Sequence, residues 1–194
     1  MRSLQSLSLS FVIAFLLVTT LSAQTEQLLV DENFQFWTGF TATTANPDLV
    51  VNKTTMISDE ALVYTMHGVS VLPGGYAKDE TTNSLSTAGC LKMQKNTEVV
   101  TEGVSMSIEI SPLKSITKVW FVECTTGSNR GFQVWKKGAN DADWVSIHNA
   151  VCNPSSGMAV NLTINEENVA LKFTNLAPGQ YAFLSDLKIW GNVT

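Results

Sequence analysis

The chain contains little of what metal sites, disulfide scaffolds and nucleic-acid interfaces require. It has three cysteines and two histidines in 194 residues, too few for a cysteine framework or for a site with three histidine ligands. Lys and Arg number 12 against 17 Asp and Glu, which gives a formal net charge of -5. Because nucleic-acid binding needs a basic surface, these shortages exclude nucleic-acid-binding proteins as well as small disulfide-rich domains.

Catalytic signatures are also scarce. The sequence has no Gly-x-Ser-x-Gly nucleophile turn. The Gly-rich segment Leu72–Tyr76 has no following Gly-Lys-Ser/Thr, so it indicates a turn and not a phosphate-binding loop. Glu109 and Glu123 offer a carboxylate pair of the kind that glycosidases use, but acidic residues on strands are usually solvated. We therefore predict that the chain is not an enzyme, and a lyase or glycosidase on the same scaffold is the weaker alternative.

Long hydrophobic runs are confined to the N-terminus. After Met1-Arg2, residues 9–17 (LSFVIAFLL) are apolar, and small residues follow up to Ala23. This pattern predicts a signal peptide over residues 1–23, cleaved before Gln24. A membrane anchor is disfavoured because a spanning helix needs about 20 apolar residues. We therefore expect a secreted or cell-surface protein with no membrane span in its mature chain.

The mature chain, residues 24–194, has the length of one domain with a single buried core. Export would place its cysteines in oxidising surroundings. One disulfide with one remaining thiol, and three reduced cysteines, both stay open for Cys90, Cys124 and Cys152.

Short runs of β-branched and aromatic residues, separated by Gly, Asn and Pro, are typical of an all-β sandwich. In Ser105–Ile110 the apolar residues alternate with polar ones, which predicts one buried face. No window of about eleven residues has a helical apolar period, and Asn165–Asn168 is predicted to form one helical turn at most. The absence of a repeat of about 20–50 residues disfavours a β-helix. The predicted fold is a single antiparallel β-sandwich of jelly-roll type. Its predicted strands are Leu28–Asn33, Leu49–Lys53, Leu62–Val71, Cys90–Lys95, Val104–Ile110, Lys118–Cys124, Gly131–Lys137, Trp144–Asn149, Met158–Ile164, Ala170–Thr174 and Ala182–Trp190.

The segment Gly131–Asn149 (GFQVWKKGANDADWVSIHN) predicts a β-hairpin, because a loop rich in Gly, Asn and Asp joins two strand-like runs. If Lys137 lies opposite Trp144, one face of the hairpin carries the aliphatic and aromatic core residues Phe132, Val134, Val145 and Ile147. The other face carries the predicted ligand-binding residues Gln133, Trp135, Lys137, Trp144, Ser146 and His148. A one-residue slip would reverse the faces, but only this register buries the aliphatic set together.

The two tryptophans of the second face favour sugar binding. Pyranose rings present an apolar C–H face that stacks on indole, while neighbouring polar groups hydrogen-bond the hydroxyls. Packing of Trp135 and Trp144 beneath neighbouring loops is the structural alternative. Trp120 and Trp190 lie in strongly apolar segments and are predicted to be core.

With these features the chain resembles exported β-sandwich modules of bacterial polysaccharide-degrading systems. These include galactose-binding-like carbohydrate-binding modules and the non-catalytic segments that accompany secreted pectate lyases. The resemblance rests on Leu29–Phe34, Arg130–Trp135 and Tyr181–Gly191, and it spans nearly all of the mature chain as a pattern without a strict motif.

The resemblance also implies a structural calcium ion, which in many such modules ties the first strand to the last. Calcium favours carboxylate and backbone oxygen ligands. The matching positions are Glu32, near the first strand, and Asp186, in the last, with Asp31 as a possible third ligand. Alternatively, these carboxylates only mark the ends of strands.

Together these inferences predict a secreted, non-catalytic carbohydrate-binding module that recognises a polysaccharide or cell-surface glycan through an aromatic face. The alternative is a structural or adhesive cell-surface protein that binds another protein.

Overall fold

The computed structural model describes residues 24–34, 37, 49–72, 89–93, 106–124, 131–151, 157–176 and 181–193. The predicted signal peptide lies outside these residues. The strands of the described part are β1 (Thr25–Glu32), β2 (Leu49–Thr54), β3 (Ala61–His67), β4 (Val69–Leu72), β5 (Cys90–Met93), β6 (Ser107–Cys124), β7 (Phe132–Gly138), β8 (Val145–Asn149), β9 (Met158–Asn175) and β10 (Ala182–Val193). Within the described residues, no helix has the length and apolar character needed to cross a membrane.

The strands form two layers that share the long strands β6 and β9. The front layer has the order β2-β3-β6-β9-β7-β8 and uses the first half of β6, where Ile110 pairs with Tyr64. The back layer has the order β4-β5-β10-β6-β9, with β1 also paired to β10. It uses the second half of β6, where Val119 pairs with Ile189. All pairings are antiparallel, so the chain is an all-β antiparallel sandwich, as predicted.

Bulges bend β6 and β9 where they pass between the layers. The β6–β9 register shifts between Ile110 and Leu113. Asn165 and Asn168 have φ angles of 55° and 52°, in the left-handed region that asparagine tolerates better than most residues. The prediction of a helical turn at Asn165–Asn168 is therefore wrong, because these residues stay within β9 and continue its pairing past the bend.

Two pairs of predicted strands are each a single strand in the structure. These are Val104–Ile110 with Lys118–Cys124, which form β6, and Met158–Ile164 with Ala170–Thr174, which form β9. The opposite happens in Leu62–Val71, which is divided into β3 and β4 at Gly68. Gly68 has a φ of 63°, a conformation that glycine adopts without steric cost, and there the chain passes from the front layer to the back layer.

The interior between the layers is aliphatic and aromatic. Phe121 of the back layer contacts Phe132 and Phe173 of the front layer, with ring centroids 6.5 and 5.2 Å apart and nearly perpendicular planes. The alternation at the start of β6 is confirmed, since its apolar residues are all buried: Met106, Ile108 and Ile110. Cys90 is also buried. The side chains of Cys124 and Cys152 lie outside the described part, so the disulfide stays a prediction.

Trp120 and Trp190 do not lie in the core, and that prediction is wrong. Both are half-buried on the outward side of the back layer, while the neighbouring Val119, Phe121 and Ile189 point inward and are fully buried. Strand alternation explains this arrangement, because successive side chains point to opposite faces. The apolar neighbours that suggested a core position are the inward half of the same strands.

Candidate ligand-binding surface

Strands β7 and β8 form the predicted hairpin, and its turn is closed by local hydrogen bonds. The backbone N–H of Gly138 donates to Oδ2 of Asp141 at 2.8 Å, and the N–H of Asp141 donates to the Gly138 carbonyl at 3.1 Å. Near the turn the predicted register is confirmed, since Trp135 pairs with Ser146 and Lys136 with Val145.

Beyond Trp135 the register differs from the prediction by one residue. Val134 pairs with His148, so a bulge at Ile147 gives β8 one extra residue. His148 therefore lies on the inward face, where its ring contacts Phe121 at a centroid distance of 5.9 Å. The assignment of His148 to the outward face is wrong, because a bulge reverses the alternation of every residue after it.

The position of Val145 also differs from the prediction. It was predicted to be core, but it is 48% exposed at the first position of the edge strand β8. The other predicted inward residues fit better: Phe132 and Val134 are fully buried, and Ile147 is half-buried against the core.

The outward face of the front layer carries Trp135 and Trp144. Trp135 lies between Ser146 on β8 and Lys172 on β9, and Gln133 lies beside Thr174. Paired residues of antiparallel strands share a face, so these side chains form one continuous surface. The indole N–H of Trp135 donates to Oγ1 of Thr174 at 2.9 Å, which fixes the orientation of the ring.

Lys172 joins the two tryptophans. Its Nζ lies 4.2 Å from the ring centroid of Trp144 and 3.7 Å from Oε1 of Glu109 on β6. Sequence reasoning did not identify Lys172. We call Gln133, Trp135, Trp144, Ser146, Lys172 and Thr174 the hairpin surface.

Ligand binding by Lys137 stays a prediction, and in the structure its ammonium already has one partner. Lys137 lies on the same side of β7 as Trp135, but its Nζ donates to the carbonyl of Ala142 at 3.0 Å. This bond ties the ammonium to the hairpin turn. Lys172 is therefore the cation that lies among the tryptophans.

A buried carboxylate supports the hairpin from inside. Glu123 is 1% exposed, and its Oε2 accepts the backbone N–H of Phe132 at 2.9 Å. Its Oε1 lies 3.8 Å from Nε2 of His148, so Glu123 of the back layer contacts both strands of the hairpin. Glu109 and Glu123 lie at opposite ends of β6, too far apart for the carboxylate pair of a glycosidase.

The predicted calcium ligands are arranged differently. Glu32 pairs with Leu187 in the register, next to Asp186. However, Oε1 of Glu32 accepts from Nζ of Lys53 at 2.5 Å and Oε2 accepts from the indole N–H of Trp37 at 3.0 Å. Within the described part of the chain, no group of three or more His, Cys, Asp or Glu is placed to hold a metal ion. Calcium at Glu32 and Asp186 stays a prediction that this geometry does not favour.

A cavity of about 510 Å³ lies at the bend of β6 and β9. Polar residues dominate its lining, including Glu60, Lys114, Glu167, Asn168 and Asn192. Gly191 lies against Ser115, which lines the cavity, and glycine is required at this position because a Cβ would lie 2.1 Å from the carbonyl oxygen of Ser115.

The comparisons with known proteins concern structure alone. No protein-family profile and no curated protein matches the chain in sequence. The K2 cleaved adhesin domain of Lys-gingipain is similar with a TM-score of 0.49 at 11% identity, over 85% of this chain and 99% of that chain. The CBM22-1 xylan-binding domain from Paenibacillus barcinonensis gives 0.42 at 10% identity, over 89% and 99%. A family 29 carbohydrate-binding module complexed with mannohexaose gives 0.42 at 8% identity, over 86% and 92%. These values are too low to assign any of those ligands to this chain.

Proposed function

We propose that this protein is an exported, non-catalytic module that binds a neutral polysaccharide on its hairpin surface. The observation that carries the proposal is the placement of Trp135 and Trp144 on one outward face, where Lys172 pairs with Trp135 and its Nζ lies 4.2 Å from the ring centroid of Trp144. Two indole rings on one face offer stacking positions for the C–H faces of pyranose rings.

The polar groups of the hairpin surface suit hydroxyl ligands. Gln133 and Ser146 are within hydrogen-bonding distance of each other, with Nε2 and Oγ 3.4 Å apart, and each has capacity for a further partner. The ion pair between Lys172 and Glu109 places a donor and an acceptor side by side, which matches a hydroxyl group that both donates and accepts.

The charge of this surface favours a neutral ligand. Lys172, the cation beside the tryptophans, is only 17% exposed and is balanced by Glu109 at 3.7 Å, whereas the ammonium of Lys137 lies at the turn. The signal peptide predicted over residues 1–23 supports export, which would bring the module into contact with extracellular polysaccharide.

Replacement of Trp135 by Ala tests the proposal. Loss of a stacked ring removes about 0.5–1.5 kcal/mol beyond area burial, so we expect several-fold weaker binding to the neutral glycans that the wild type selects on a glycan array. The melting temperature should stay close to that of the wild type, because the ring is only half-buried. Val145→Ala is the matched control, since Val145 is exposed on the other face of the same hairpin.

Three outcomes would contradict the proposal. Unfolding of Trp135→Ala would show that the ring belongs to the core. Unchanged affinity for every neutral glycan would place the site elsewhere. If the wild type binds no glycan, the alternative of a structural or adhesive protein that binds another protein takes precedence.

A further inference from the structure

The outward side of the back layer carries a second pair of tryptophans. Trp120 pairs with Lys188 in the β6–β10 register, and Lys118 pairs with Trp190. Since residues two apart on a strand share a face, the four side chains alternate as a two-by-two pattern, which we call the checkerboard surface. Diagonal positions of this kind have Cα atoms about 7–8 Å apart, so one extended ligand can span both indoles.

A lysine covers each of these rings. Nζ of Lys118 lies 4.1 Å from the ring centroid of Trp190, and Nζ of Lys188 lies 5.4 Å from that of Trp120. Both lysine side chains are 37% exposed. The checkerboard surface therefore presents two ammonium groups and two aromatic rings to solvent.

Acidic neighbours flank the lysines on one side only. On the edge strand β1, Glu26 lies 3.9 Å from Lys118 and Asp31 lies 3.9 Å from Lys188. These carboxylates are 48% and 44% exposed, and exposed ion pairs at such distances contribute little. On the other side, Asn161 pairs with Trp120 and the next outward residue is Thr163, both exposed and able to hydrogen-bond hydroxyls.

We infer that the checkerboard surface binds an acidic polysaccharide, independently of the hairpin surface. The carboxylates of uronate residues pair with Lys118 and Lys188, and the sugar rings stack on Trp120 and Trp190. A ligand carboxylate draws each ammonium away from the indole that it covers, so the charged and the stacking contacts form together. Neutral polysaccharide has no carboxylates to pair with these lysines, whose side chains are 37% exposed, whereas Lys172 of the hairpin surface is 17% exposed.

The two surfaces lie on opposite outward faces of the sandwich. Trp135 and Lys172 face away from the front layer, and Trp120 and Lys188 face away from the back layer. One molecule can therefore hold two polysaccharide chains at once, which makes the module a cross-linker as well as a binder.

The test measures binding of the purified protein to polygalacturonate and to its fully methyl-esterified form, by calorimetry at low and high salt. The wild type should bind the acid form more tightly, and that preference should fall with salt, because exposed charges are screened. The double variant Lys118→Gln/Lys188→Gln should lose most of the preference. The double variant Glu26→Gln/Asp31→Asn should strengthen binding to the acid form, because it removes the competing carboxylates.

Further controls separate this inference from the proposed function. Trp120→Ala/Trp190→Ala should weaken binding to polygalacturonate several-fold and leave the affinity for neutral glycans unchanged, while Trp135→Ala should do the reverse. Equal binding of the acid and ester forms, or unchanged acid binding by the lysine variant, would overturn the inference without affecting the hairpin surface. Equal binding of poly-L-glutamate would also overturn it, because charge alone would then account for the effect.

Discussion

Two aromatic clusters in the interior each contain a carboxylate, and the two carboxylates are paired in different ways. In the first cluster, Glu123 lies beside Phe121, Phe132 and His148; its one hydrogen-bond partner among the described residues is a backbone N–H, and the imidazole lies 3.8 Å away. In the second, Trp37 packs edge-on against Phe34 and Tyr64, with centroids 5.1 and 4.9 Å apart. There Glu32 has an ammonium and an indole N–H as partners.

The difference follows from burial. The side chain of Glu32 is 15% exposed and that of Glu123 is 1% exposed. A carboxylate that water can still reach is readily paired with a lysine, whose ammonium also stays partly in water. Lys53 shows this arrangement, because its Nζ lies over the Trp37 ring at 4.5 Å while it binds Glu32. A fully buried carboxylate instead depends on fixed donors, which makes Glu123 more sensitive to loss of a partner.

The largest effect is expected from Phe121→Ala. Its ring makes perpendicular contacts to three rings from the front layer, and removal of a buried phenylalanine costs about 3–5 kcal/mol of unfolding free energy. Denaturant titration measures the loss. Phe34→Ala is the matched variant in the second cluster, with one ring contact in the described part of the chain, and should lose less. A loss below about 1 kcal/mol for Phe121→Ala would show that the layers do not pack through this ring.

Removal of the carboxylate should also lower the unfolding free energy more in the first cluster than in the second. Glu123→Ala leaves the N–H of Phe132 without an acceptor inside the core, which costs about 1–3 kcal/mol. Glu32→Ala should cost about 1 kcal/mol, because water can replace the partner of Lys53, which is 31% exposed, and the loss then comes mainly from the indole N–H of Trp37. Glu123→Gln keeps an acceptor for Phe132 and serves as the control in the same titration. A larger loss for Glu32→Ala than for Glu123→Ala would reverse the comparison.

Local pattern was sufficient to predict the strands and the sandwich. Alternation reports which face of a strand is buried, and Ile108 and Phe173 are fully buried where it predicts them. The same pattern does not distinguish a turn from a bulge, because both use Asn, Pro and Gly. The pattern therefore predicts a break at Asn165 and Asn168, although β9 continues through them. The partner that continues β9 here is β6, which pairs with Glu166 and Glu167 and is distant in sequence.

At the candidate site, too, local sequence pattern predicts some positions and not others. Loop chemistry sets the register next to a hairpin turn, so Trp135 opposite Ser146 was predictable. The extra residue at Ile147 leaves no sequence signal, and it moves His148 to the inward face. Lys172 was missed because it is next to Trp135 only through the pairing of β7 with β9. The alternation Leu171-Lys172-Phe173 shows that Lys172 points outward, but it does not show which strand lies beside it.

Tyr64→Phe should have the smallest effect on stability, and it tests the buried phenol of the second cluster. The phenol of Tyr64 is fully buried, and within the described part of the chain its oxygen has no hydrogen-bond partner. Burial first, and the negative charge of Glu32 second, raise the pKa of Tyr64 well above its ordinary value. The phenol is therefore protonated in the folded chain at pH values where the unfolded chain already ionises it, so its contribution to stability is present below about pH 10 and declines as the pH rises further.

Since the phenylalanine variant removes an unpaired buried hydroxyl, its unfolding free energy at neutral pH should stay within about 1 kcal/mol of the wild type. Above about pH 10 it should lose less stability than the wild type does. Urea titrations of both proteins at pH 7 and at alkaline pH measure the two effects, with Tyr181→Phe as the control for a half-buried tyrosine. Equal alkaline losses in Tyr64→Phe and the wild type would show that the Tyr64 phenol ionises as readily in the folded chain as in the unfolded one.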